Sequence, residues 1–419
     1  MRIMIFETDY EGHRLQYVRS IIEALRELPI SSILLITCKG VIDSTEFGVH
    51  LADVRDEIDV DASIQVSRGS SYRASLARFF ALNKAIKRHR PDHVYVPYAD
   101  GLMQVSGVAN IFRLCWDQQQ TIAEGLLMRG RFAYHSETAF GRMKDWASLI
   151  PLNFAPFDAI HQLDPIAFKF VQNYNQSLAR RCRLIPEAVE PMQPISSAAA
   201  REFLGIAVDG RYLGCLGWLD ARKGVDLLIR SFVLAPLLAS DRLLLMGHIE
   251  SEIEALLQGE FAAFVASGRI VVVSGHASQE KFHLGLSAVD VISTPYPRHI
   301  GSSGIVVRAA VLGKPVLGSN FGWIGAVIQC FGLGWICDVE DTSEFSAAIG
   351  SALGLSSSYR PSEAAAAFAH FHSLENFKIH LTRLIRDRLG IAEPPTVVLW
   401  EWNKPLGPYQ STTGLNLSG

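Results

Sequence analysis

Two stretches of this 419-residue sequence gather glycine, hydroxyl and basic residues directly after apolar runs. The first reads Cys215-Leu216-Gly217-Trp218-Leu219-Asp220-Ala221-Arg222-Lys223-Gly224. A glycine at a strand end lets a ligand approach the backbone, and a lysine at the entrance to a helix meets an anion where the helix's unbonded N–H groups also point. The second reads Thr294-Pro295-Tyr296-Pro297-Arg298-His299-Ile300-Gly301-Ser302-Ser303-Gly304, then an apolar helix over 305–312 and Gly313-Lys314-Pro315-Val316. Gly301, Ser302, Ser303 and Gly304 before a helix start offer backbone donors and hydroxyls to a diphosphate. Each stretch also has a plainer reading, in which Arg222 and Lys223 are solvated loop charges and Ser303 is a helix N-cap.

Elements of alternating type must hold these loops. Short apolar runs fall at 3–6, 33–37, 94–97, 184–186, 212–217, 243–247, 270–274, 291–294 and 315–318. Between them, 17–28, 76–90, 224–234, 279–288 and 306–312 carry apolar residues at helical spacing. Strand and helix in alternation predict an α/β fold of parallel sheets covered on both faces, with ligands at the carboxyl ends of the strands. Residues 115–157 show no clear period and are expected to form helices and loops. A linker near 187–200, rich in proline and small residues, divides the chain into a first domain over 1–190 and a second over 191–390, followed by a tail over 391–419.

Bulk properties exclude several classes of function. A formal net charge of −3 gives no basic surface for nucleic acid. The six cysteines lack zinc or disulfide spacing, so no metal site and a reducing compartment are expected. No apolar run is long enough to span a bilayer, and Met1 to Phe6 leads straight into Glu7 and Asp9 without a leader-like core, so the expected location is cytoplasmic.

Together the two loops resemble the second domain of the group 1 retaining glycosyltransferases of the GT-B fold. That family's first loop reads approximately Gly-Arg-Leu, three variable residues, then Lys-Gly. Gly217, Leu219, Lys223 and Gly224 match it, and Trp218 stands at the arginine. Its later motif is a carboxylate, seven residues, a second carboxylate, then alanine and Gly-x-Pro-Val. Ala309, Gly313, Pro315 and Val316 match, while Ile300 and Arg308 occupy the carboxylate places. The resemblance covers most of 211–338 and is weaker in the first half, where the loop Asp9-Tyr10-Glu11-Gly12-His13 stands where the family has a glycine-containing loop facing the donor.

The resemblance implies two Rossmann-like, doubly wound domains facing a cleft, with an acceptor side first and a donor side second. It also implies transfer of a sugar from a nucleoside diphosphate sugar to an acceptor hydroxyl with retention, and no cofactor beyond that co-substrate. Gly12, His13, Gly217, Lys223, Gly301, Ser302, Ser303, Gly304 and Arg308 are the donor-binding candidates. Arg308 has only donors, so in a carboxylate's place it would add positive charge for phosphate. Asp100, just after the run at 94–97, and His135 in the unpatterned middle are candidate acid or base groups. The acceptor is a glycan, a lipid-linked molecule or a small molecule. The basic and apolar helix over 75–90 could touch an anionic bilayer weakly, against the plainer reading of a surface helix with its apolar stripe inward. The replaced carboxylates also allow a non-catalytic partner of an active glycosyltransferase, or a sugar-nucleotide epimerase or hydrolase. Gly12 stands alone after the first run, so no dinucleotide GxGxxG is present.

Overall fold

A computed structural model describes residues 1–66, 69, 71–134, 138–275 and 278–400. They divide into two compact units, Met1–Ala188 with Leu374–Trp400, and Val189–Ser373.

The first unit is built on seven parallel strands: β1 (Arg2–Phe6), β2 (Ser32–Cys38), β3 (Asp59–Ile64), β4 (His93–Val96), β5 (Ile122–Leu127), β6 (Ala159–Gln162) and β7 (Cys182–Leu184), in the order β3-β2-β1-β4-β5-β6-β7. Runs such as Ile33-Leu34-Leu35-Ile36 are buried on both faces, as a sheet covered by helices on each side requires. On one face the helix Arg14–Arg26 sets Leu15, Val18, Ile22 and Leu25 against Ile3, Ile5 and Leu35. The helices Leu374–Leu381 and Arg383–Leu389 add Phe377, Leu381 and Ile385 to that same core. The sequence places these helices in the second domain, yet their apolar residues complete the first. On the other face the helix Asp100–Ile111 lies so close to β5 that a Cβ on Gly125 would sit 2.6 Å from Met103.

Within this core three strands share a buried polar group. Glu124 of β5 accepts one hydrogen bond from His93 Nε2 on β4 at 2.6 Å and another from His161 Nε2 on β6 at 2.7 Å, and all three side chains are shut off from solvent. The Nδ1 atoms of both rings are buried without partners. Burial alone would push the Glu124 carboxyl up, but His93 and His161 outweigh it and hold the group down at about 2.

The second unit has six parallel strands, β8 (Tyr212–Leu219), β9 (Arg242–Ile249), β10 (Ile270–Ser274), β11 (Val291–Thr294), β12 (Val316–Ser319) and β13 (Gly334–Cys337), in the order β10-β9-β8-β11-β12-β13. The helix Val225–Leu234 covers β8 with Val225, Leu228, Ile229 and Phe232. The register of β8 with β9 sets Gly217 beside Gly247 and Trp218 beside His248. In each sheet the strand order reverses once, between β1 and β4 and between β8 and β11. Adjacent connections leave opposite faces there, and a crevice opens at the carboxyl ends, the usual ligand position in doubly wound sheets.

Candidate functional site

The two loops singled out in the second half follow β8 and β11, the strands that flank this reversal. Asp220 follows β8 and its Oδ1 accepts the Lys223 N–H at 2.9 Å, closing the one-turn helix Ala221–Lys223. That turn carries the lysine back over the strand end. Gly217 has φ +103°, and a Cβ there would lie 3.5 Å from Lys223 Nζ. Gly224 follows with φ +69°, where a Cβ would collide with the Pro295 carbonyl oxygen, so the first loop rests directly on the second.

Lys223 is half-buried, and burial lowers its pKa below the usual 10.5. Among the described residues its Nζ has no hydrogen bond or ion pair, and its nearest aromatic neighbour is the Tyr296 ring, with the centroid at 5.4 Å. A partly desolvated ammonium that feels the Asp220 carboxylate but forms no ion pair with it is a ready site for an anion.

The second loop makes the other half of the site. Gly301 has φ +107°, and Ser303 stands at the N-cap of the helix Gly304–Val311. Its hydroxyl does not cap that helix. Its side chain stands beside the buried Tyr296 phenol, so the residue fills the N-cap position without making the capping bond that the plainer reading expects. The first N–H groups of this helix are therefore left without a side-chain cap, an arrangement that favours a negative ligand. Arg308 curls back along its own helix and donates from Nη1 to the Gly304 carbonyl at 3.1 Å, placing a guanidinium beside the same helix start. His299 braces the loop, with Nε2 3.4 Å from the Ser302 carbonyl and its ring edge-on to Tyr296. Lys314 of the Gly-Lys-Pro-Val run is occupied elsewhere, donating to Ser197 Oγ and to the carbonyls of Ser287 and Val289.

Sequence reasoning passed over three contributors: Asp220, which shapes the lysine turn, Tyr296, which floors the site, and the exposed Trp218. The Trp218 ring lies 4.0 Å from that of His248, and its Nε1 donates to Glu250 at 2.8 Å. The pairing of β8 with β9 creates this ledge, and only the strand register could have revealed it.

In the first unit Gly12 has φ +71° and His13 begins the helix Arg14–Arg26 with no side-chain cap, its Nδ1 3.2 Å from Gln16 Oε1. Their loop is held from below by Glu7, whose Oε1 accepts from the Thr8 and Asp9 N–H groups and from Arg14 at 2.9 Å. Arg78, inside the helix Tyr72–His89, donates to Thr8 Oγ1 and Asp9 Oδ2. Asp100 begins the helix after β4, and its two oxygens accept from the Met128 and Arg129 N–H groups, which fixes the loop after β5. Burial raises its pKa and those bonds oppose the rise. His135 lies outside the described residues.

The geometry makes Gly224 a sensitive point. Gly224→Ala is expected to lower stability by about 2–3 kcal/mol, because it adds both a left-handed non-glycine residue and a clash with Pro295. Thermal melting measures this, and an unchanged melting temperature would show that the two loops are not held together as described.

No protein-family model and no curated protein matches the sequence. Solved structures do match. HepE of Anabaena in complex with UDP aligns over 93% of this chain and 100% of its own, at 14% identity and a TM-score of 0.66. Sucrose-phosphate synthase from Thermosynechococcus elongatus aligns over 93% and 99%, at 17% identity and a TM-score of 0.70. WaaG, a glycosyltransferase involved in lipopolysaccharide biosynthesis, aligns over 92% and 99%, at 14% identity and a TM-score of 0.62. The fold is thus glycosyltransferase-like, two parallel-sheet α/β units of the GT-B kind.

Proposed function

We propose that this chain is a retaining glycosyltransferase that takes a sugar from a nucleoside diphosphate sugar and passes it to an acceptor hydroxyl. The observation that carries the reading is Lys223, a half-buried ammonium with no ion-pair partner among the described residues, standing at the strand-order reversal beside a helix start without a side-chain cap. A diphosphate laid across Gly217 and the Gly301–Gly304 turn meets Lys223, the N–H groups of the helix and the Arg308 guanidinium. The bond from the anomeric carbon to the diphosphate breaks as the acceptor oxygen attacks from the same face, and the acceptor proton leaves with the diphosphate. Charge grows on the departing phosphate, so these cationic and N–H groups act where the transition state needs them. They meet charge that a divalent ion would otherwise meet, and donor binding without added metal is part of the proposal. The HepE structures carry UDP and UDP-glucose, which makes UDP the first nucleotide to test.

Calorimetric titration with UDP, GDP and ADP, with and without EDTA, tests the donor site. Saturable binding of one nucleotide that survives EDTA and weakens roughly 10- to 100-fold in Lys223→Ala is expected, the worth of one charge-assisted contact. Absence of binding to all three would sink the reading. Ile300 and Arg308 in the carboxylate places favour one alternative, a binding partner that keeps the donor site without transfer. Nucleotide binding with no release or transfer of sugar from the matching donor would establish it.

A further inference from the structure

We propose that the helical layer on one face of the first unit's sheet docks on an anionic lipid bilayer. The helix Tyr72–His89 buries Phe79, Leu82 and Ile86 but turns Tyr72, Leu76 and Phe80 outward, Phe80 being 58% exposed. At 100° per residue the outward three share about a third of the helix circumference with Arg73, Lys84 and Lys87. These three bases are exposed, and among the described residues none has an ion-pair partner. An inward apolar stripe with solvated charges, the plainer expectation from sequence, accounts for only half of this helix.

The outward face continues onto the neighbouring helices. Asn83 donates to the Leu114 carbonyl at 2.7 Å, which brings the exposed end of the helix Asp100–Ile111 alongside, with Phe112 at 69% exposure and Leu114 beyond it. Asn110 in turn donates to the Phe154 carbonyl at 2.9 Å, tying in the helix Leu149–Phe154 with Phe154 exposed. The helix Ala139–Ala147 packs on this one and shows Phe140 at 72% exposure and Lys144 to solvent. Apolar exposure on this scale marks a contact surface.

Charge identifies what it contacts. The whole chain has a net charge of −3, yet residues 72–90 contain six lysines and arginines and no acid, and residues 101–116 contain Arg113 and no acid. Aromatic side chains interleaved with unpaired bases suit the interface of a bilayer with anionic headgroups, where the rings enter the acyl boundary and the bases meet phosphate. None of the described helices is long and apolar enough to cross a membrane, so the contact is peripheral.

Flotation of the full chain with phosphatidylcholine vesicles, and with vesicles of phosphatidylcholine mixed with phosphatidylglycerol, tests the proposal. Binding to the mixed vesicles, lost as salt rises, is the expected result. The double variant Lys84→Glu with Lys87→Glu should lower partitioning by about 10-fold or more, since each base near the surface contributes measurably. Phe80→Ser with Phe112→Ser should lower it comparably while the thermal melt stays unchanged. Phe80→Trp should show a blue-shifted emission on the mixed vesicles alone. Failure to float with the mixed vesicles at low salt, or flotation indifferent to these variants, would overturn the proposal. So would a concentration-dependent dimer, seen by light scattering and abolished by Phe80→Ser, because the face would then belong to a second copy.

Discussion

Alanine at position 223 is expected to cut sugar transfer by roughly 100-fold or more, the usual cost of deleting one charged group aimed at the leaving group. Most of that loss should fall on kcat, because the charge on the departing diphosphate is greatest in the transition state. The reason lies in the local structure: Asp220 closes the turn, Gly217 leaves room for the amine, and no carboxylate among the described residues forms an ion pair with it. Burial lowers the lysine pKa from 10.5, and the charge is lost as pH rises through that lowered value. Donor affinity should therefore fall at alkaline pH sooner than an exposed lysine would give. Lys223→Arg should remove this alkaline limb, since arginine keeps its charge. Steady-state kinetics over pH measure both effects, and an alkaline limb that persists in the arginine variant would assign it to another group.

Glu124→Ala should cost about 3–5 kcal/mol of stability, the range for breaking a buried charged network by removing one partner. Two imidazoles would lose their acceptor inside a core that holds no described substitute. Glu124→Gln keeps the shape and one acceptor oxygen, and should cost less. The pH dependence has a definite sign. A carboxyl held at about 2 in the folded state, against 4.5 in an unfolded chain, contributes stability that is fully present above 4.5 and disappears as pH falls to about 2. Chemical denaturation at neutral pH and at pH near 3 would show the wild type losing stability that the glutamine variant never had. Equal acid sensitivity in both would place the effect elsewhere.

This same triad explains why part of the fold was hidden in the sequence. The alternation of apolar strands and amphipathic helices is plain where a strand carries an unbroken apolar stretch, as Ile33-Leu34-Leu35-Ile36 in β2 and Leu243-Leu244-Leu245-Met246 in β9. In β5 and β6 the strands carry Glu124 and His161 in mid-run, and each looks polar until its partner on the adjacent strand is known. Strand β3 is charged and half-exposed at the sheet edge, with no apolar run to announce it. The strand–loop–helix setting of Gly217, Lys223 and the Gly301–Gly304 turn was legible because these residues are local in sequence and need only a strand before and a helix after. Arg78 was not, because its inward course depends on Thr8 and Asp9 far away along the chain. Ser303 occupies the N-cap position that its place before an apolar helix suggests, but the missing capping bond shows only in the folded loop.

The first unit is discontinuous: its chain leaves at Ala188 and returns at Leu374. On the ribosome, residues 1–188 emerge without Phe377, Leu381 and Ile385, and the apolar face made by Ile3, Ile5, Leu15 and Val18 stays open until the last helices arrive. The described residues of the second unit are contiguous and can close in the meantime. Synthesis thus exposes the whole second unit before the unit in which the chain began is complete, and a nascent chain that has emerged only as far as residue 373 holds one finished half beside one that still lacks part of its core.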